Sequence, residues 1–93
     1  MTMPSVKLDP RAKDSFWQVV SDCLRDFHSF DAAKAQSECN DLRRRVEQSP
    51  IGIGGEVIYH DEPFDVACDI AGSKLDLAKH RKPYDLILQR HNW

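Results

Sequence analysis

Four carboxylates lie close together in the chain, Asp61, Glu62, Asp65 and Asp69, and acid–base catalysis is the first chemistry to weigh for them. Glu62, Asp65 and Asp69 stand at i, i+3 and i+7, so on a helix they share one face, with Asp61 at its start. Hydrolytic work needs two carboxyls held apart across a cleft, in surroundings that separate their proton affinities. A convex helix face provides neither. Acids in the first turn of a helix also suit its dipole, at roughly 0.3 to 1 kcal/mol each, which gives Asp61 and Glu62 a purely local reason to be there. The dipole leaves the missing cations unexplained. Between Arg45 and Lys74 there is no Lys or Arg, against Glu47, Glu56, Asp61, Glu62, Asp65 and Asp69.

The other reactive residues lead nowhere as enzymes. Four histidines (His28, His60, His80, His91) and three cysteines (Cys23, Cys39, Cys68) could ligate zinc, but neither Cys-x2-Cys nor His-x3-His spacing occurs. No metal or cofactor is expected. Cys68, beside Asp69 and downstream of His60, has the company of a thiol nucleophile, yet it falls on the stripe Phe64, Cys68, Ala71, Leu75 and should be buried and inert. The three thiols, odd in number and widely spaced, read as reduced core residues, one on each of three helices. Ile51-Gly52-Ile53-Gly54-Gly55 is a loop. It lacks the preceding strand, the following helix and the lysine of a phosphate-binding turn. An enzyme is not expected.

The elements that must position the acidic residues follow from periodicity. Asp9-Pro10 reads as a cap followed by proline at the first helical position, and Phe16, Val19, Val20, Cys23, Leu24, Phe27 and Phe30 recur at steps of three and four. This predicts a helix near 10–28 that ends at His28-Ser29. Trp17, one step off the stripe, either flanks the core or anchors a partner. Asp31 caps a second helix, near 31–48, with Phe30 and Ala35 as a hydrophobic staple. Its face Ala32, Ala35, Cys39, Leu42, Val46 is narrow and small enough at the start to approach the first helix closely. Arg43-Arg44-Arg45 point about 100° apart on a helix, so they form no phosphate-binding face and suit the helix C-terminus.

Pro50 stops the second helix. Glu56-Val57-Ile58-Tyr59-His60 is a short extended run, and Pro63 and Gly72 then bracket a helix near 63–71. Leu75 to Ala78 allow a short helical turn, and Lys79-His80-Arg81-Lys82 form a basic knot able to fold back onto the acidic window. Tyr84, Ile87, Leu88 and His91 favour a last helix near 83–91 over a strand at Leu86-Ile87-Leu88. The fold class is therefore all-α, a compact bundle of four or five helices with a Gly-rich loop and at most one extended segment. The 93 residues form a single domain, 1–93, ordered from about Leu8 to His91, and at that length roughly 60 to 65% of the unfolded chain's surface is buried. The third helix and Tyr59 should close one end of the core.

A net charge of −2, with 41% hydrophobic and 30% charged residues, fits a folded protein and leaves no broad basic footprint for nucleic acid. No apolar run reaches the roughly 20 residues that span a bilayer, and Met1 to Val6 do not form a signal peptide, so a cytoplasmic protein without membrane contact is expected. Surface recognition is what remains. A negative face free of lysine and arginine speeds encounter with a basic partner, and Tyr59 and His60 border it with amphipathic aromatic area. The expected partner surface is Tyr59, His60, Asp61, Glu62, Asp65 and Asp69.

The arrangement resembles the small helical immunity proteins that neutralise bacterial nuclease toxins. The likeness rests on two longer helices, then Ser49-Pro50 and a glycine-bearing loop leading to Val57-Ile58-Tyr59-His60, then acidic residues at a short third helix. In those proteins this region, with a tyrosine pair, meets the basic nuclease. Here Ile58-Tyr59 matches, His60 stands where the second tyrosine would be, and Pro63 comes later. The resemblance implies an immunity protein or antitoxin that masks a basic toxin domain. The alternatives are an adaptor or subunit of a larger assembly, such as a homo-oligomer joined through Trp17 or Trp93, and then a small transcriptional regulator, supported by Arg43 to Arg45 alone.

Overall fold

Helix α1, Pro10–His28, is the element on which the rest of the chain packs. In the computed structural model, which describes residues 10–48 and 58–93, it touches α2 (Ala32–Glu47), α3 (Pro63–Ala71) and α4 (Arg81–Arg90), and α3 most extensively. Phe16, Val19, Val20, Cys23 and Leu24 have no exposed surface at all, because the steps of three and four bring them onto one side of a 19-residue helix. Each such side chain contributes about 1.5 to 3 kcal/mol through burial. Phe27, at the end of the stripe, is half-buried against Phe64, with ring centroids 5.4 Å apart. Trp17 is buried as well, which decides between its two readings in favour of the core.

Asp31 caps α2 as its sequence position predicts, accepting a 2.7 Å hydrogen bond from the Lys34 amide. Ala35 and Cys39 are buried against α1, Leu42 and Val46 are half-buried, and Ala32, at the first position of the helix, faces outward instead of joining them. Arg43 ties the two helices by bridging Asp14 (2.9 Å) on α1 and Glu47 (3.1 Å) on its own helix. Burial lowers the proton affinity of this guanidinium, but the hydrogen bonds to Glu47 and Asp14 outweigh it and hold Arg43 more firmly protonated. Arg44 turns away to Asp41 at 3.3 Å, so the arginine run diverges as helix geometry requires.

The extended run expected at 56–60 is not observed where it is described. Ile58–His60 form one turn of 3-10 helix, closed by the Asp61 amide donating to the Ile58 carbonyl at 3.1 Å. The turn lets Tyr59 swing inward onto Phe16 and Trp17, and the Trp17 Nε1–H donates to the Tyr59 hydroxyl at 3.0 Å. Side-chain burial outweighs the local strand preference of a three-residue run. The Asp9 cap, Ser49-Pro50, the glycine loop and Glu56-Val57 lie outside the described residues.

The last part of the chain forms a 3-10 turn, Leu77–His80, slightly later than Leu75 to Ala78, because Asp76 caps it by accepting from the Ala78 amide at 3.0 Å. Helix α4 then starts at Arg81 instead of Pro83. Proline sits third in the first turn, where its missing N–H has no intrahelical acceptor to lose. Tyr84 and Ile87 point into the core, and Asp22 of α1 fastens the far end by accepting from Arg90 (2.9 Å) and contacting His91 Nε2 (2.8 Å). The architecture is all-α: four helices and two 3-10 turns, with no strand among the described residues.

Candidate functional site

Helix α3 presents two unlike faces because its sequence is short and sharply bounded. Glu62 precedes it in extended conformation, Pro63 fills the first helical position, and Gly72 ends it at φ 70°, a left-handed conformation that glycine enters without strain. Ser73 N donates to Cys68 O and Gly72 N to Asp69 O, which satisfies two of the last carbonyls. Between these limits Pro63, Phe64, Val66, Ala67 and Cys68 are buried, and Asp65 and Asp69 are exposed. Phe64 is held between Phe27, His80 and Tyr84, at ring centroids of 5.4, 6.0 and 5.4 Å.

The six residues expected at a partner surface separate into four groups. Asp61, Asp65 and Asp69 are exposed and, among the described residues, enter no ion pair. Glu62 is exposed at its edge but engaged, since the Tyr84 hydroxyl donates to its Oε1 at 2.6 Å and accepts more weakly from the Phe64 amide at 3.4 Å. Burial, then the Glu62 carboxylate, push the Tyr84 hydroxyl far above the ordinary tyrosine range, so it remains a donor. Tyr59, expected both to close one end of the core and to border the partner surface, does the first alone: only 7% exposed, it is a core residue and offers no aromatic area to a partner. Of His60 the structure describes the backbone alone, as the end of the 3-10 turn.

The basic knot does not neutralise the face. His80 packs its ring on Phe27 at 5.2 Å, Arg81 pairs with Asp85 of its own helix at 3.1 Å, and neither these two nor Lys79 and Lys82 form an ion pair with Asp61, Glu62, Asp65 or Asp69. Asp65 and Asp69 stand side by side on one helix rather than across a cleft, so the geometry suits charge recognition better than proton transfer. Among the described residues no three His, Cys, Asp or Glu side chains gather where they could hold a metal ion.

Beside Asp69 lies a groove of about 280 Å3 between α2 and α3, lined by Glu38, Leu42, Arg45, Asp69 and Ile70. Glu38 was not singled out from sequence. Glu38, Leu42 and Arg45 follow one another at i, i+4 and i+7 along α2, next to the buried Cys39, and that flank of the apolar stripe is the signal for it.

The three cysteines are free and buried. Burial and the nearby charges of Asp22 and Asp26 raise the Cys23 thiol well beyond the usual cysteine range, and burial with Glu38 pushes Cys39 up to about 12. Neither is a nucleophile at neutral pH.

Comparisons with protein-family models, with curated proteins and with solved structures found no match to this chain.

Proposed function

We propose that the protein is a non-enzymatic cytoplasmic binding protein whose acidic face masks a basic protein partner, as an immunity protein or antitoxin masks a nuclease-type toxin. The observation that carries this reading is the exposure of Asp61, Asp65 and Asp69 on and beside one helix, with no ion pair to any of them among the described residues. Carboxylates so placed attract a basic surface during encounter and repel nucleic acid and other acidic competitors. The core position of Tyr59 changes the supposed composition of the surface: recognition rests on Asp61, Asp65 and Asp69, with Glu62 at the edge, instead of on an aromatic anchor.

The test is capture of a basic protein from cells of the native host, with the wild type and the double reversal Asp65→Lys, Asp69→Lys as baits. Removing one partner of a desolvated charge pair costs ~2 to 5 kcal/mol, so two reversals should abolish capture while the helical content persists. Wild-type capture should weaken steeply with salt, because exposed charges are screened over about 8 Å at physiological ionic strength. Capture that ignores both the reversals and salt would sink the masking function.

A second reading, as a subunit of a larger assembly or a homo-oligomer, has one observation in its favour. Leu86 and Trp93 are the large hydrophobic side chains left exposed among the described residues, at 61% and 40%. Trp17, being buried, offers no second anchor.

A further inference from the structure

We infer that the groove between α2 and α3 seats a lysine or arginine side chain of the basic protein partner, with its charged head between Glu38 and Asp69 and its aliphatic stem on Leu42 and Ile70. This deepens the masking function and rests on it. The groove is apolar on its floor and charged on its rims. Leu42 and Ile70 pack inward against the core yet stay half-buried, so each keeps apolar surface toward solvent. Glu38 and Asp69 form no ion pair among the described residues, even though Arg45 lines the same groove.

That combination selects the occupant. A wholly apolar side chain would strip water from two carboxylates and give them nothing in return, which costs more than the floor returns. An acidic one would face Glu38, Asp69 and the neighbouring Asp65. A short polar one would leave Leu42 and Ile70 uncovered. A long aliphatic stem ending in a cation satisfies floor and rim together, as lysine and arginine do wherever they lie along apolar surface. Arg45 fixes the direction of entry. It lies seven residues beyond Glu38 on the same stripe of α2, about 10 Å along the helix axis, so a cationic head is driven to the Glu38 end.

The probes are hexalysine and hexaarginine, titrated at low ionic strength into the isotopically labelled full chain and followed by backbone amide shifts. Shifts should appear at Glu38, Leu42, Asp69 and Ile70. Glu38→Gln should weaken binding about tenfold, between the small effect of an exposed pair and the large effect of a buried one, whereas Asp41→Asn, the same charge change on another face of α2, should change it by about twofold or less. Arg45→Gln should tighten binding, and Arg44→Gln, paired with Asp41, should not. These substitutions replace side chains at the surface of a helix, and the amide spectrum of each variant shows directly that it folds. Shifts confined to Asp61 and Asp65, with Glu38→Gln indistinguishable from Asp41→Asn, would overturn the groove and leave the acidic face standing. An absence of shifts with either probe at low salt would overturn both.

Discussion

Tyr59 carries the sharpest residue-scale expectation. Its hydroxyl accepts from the indole of Trp17 in a buried hydrogen bond that spans 42 residues of sequence. Tyr59→Phe strands the Trp17 N–H without an acceptor, and a denaturation midpoint should report a loss of ~1 to 3 kcal/mol. Tyr59→Ala should cost ~3 to 5 kcal/mol, because it also empties the site against Phe16. A Tyr59→Phe variant as stable as the wild type would mean that the pair is not formed in solution. That Tyr59 would close one end of the core was legible, but that its ring would turn wholly inward was not, for a physical reason: an amphipathic ring beside an acidic cluster has the same composition whether it points out to a partner or in to an indole, and the indole lies on a different element. The cysteines were easier, since burial follows from helical spacing alone. Cys23, Cys39 and Cys68 should react with a thiol reagent only slowly without denaturant, and rapid labelling of all three would contradict their burial.

At the scale of elements, α3 is held by its ends as much as by its inner face. The Tyr84 hydroxyl, from α4, reaches Glu62 at the entry to α3, so the two short helices share one polar tie over a packed ring pair. Tyr84→Phe keeps the ring and removes the tie. It should cost ~1 to 2 kcal/mol in denaturant titrations, less than a wholly buried charged hydrogen bond because Glu62 is exposed. At the other end, a Cβ added at Gly72 would meet nothing within 4 Å, so Gly72→Ala should cost only the left-handed strain, ~1 to 2 kcal/mol. The limits of α1 and α3 were legible residue for residue, because proline at each start and a left-handed residue at each end, Ser29 at φ 61° and Gly72 at φ 70°, act locally. The start of α4 and the turn at Ile58–His60 were not. A buried contact of Tyr59 sets that turn against the local preference of Val57-Ile58-Tyr59, and α4 begins at Arg81 because it follows directly on the Leu77–His80 turn that Asp76 caps.

Across the whole molecule, three helices and a 3-10 turn converge on one aromatic joint, where Phe27, Phe64, His80 and Tyr84 meet, and the end of α1 brings His28 close to it. His28 is half-buried, and its Nε2 is shut from solvent without a hydrogen-bond partner among the described residues. Burial, and then the charge of His80, lower its proton affinity below the ordinary histidine value of 6.5. The unfolded chain therefore binds a proton more readily at this position than the folded one. Folding stability from this group is complete well above pH 6.5, falls as pH drops through that value, and stops falling once the folded form is also protonated. The wild-type profile sums over every titrating group of the fold, so it alone does not isolate His28. The comparison that does is the wild type against His28→Gln. Between pH 7.5 and 5.5 the denaturation midpoint of the wild type should fall relative to that of the variant, and His80→Gln, which removes the second charge, should reduce the fall without abolishing it. Parallel profiles for wild type and His28→Gln would show that the imidazole is as readily protonated in the fold as outside it, and that the joint opens to water at the end of α1.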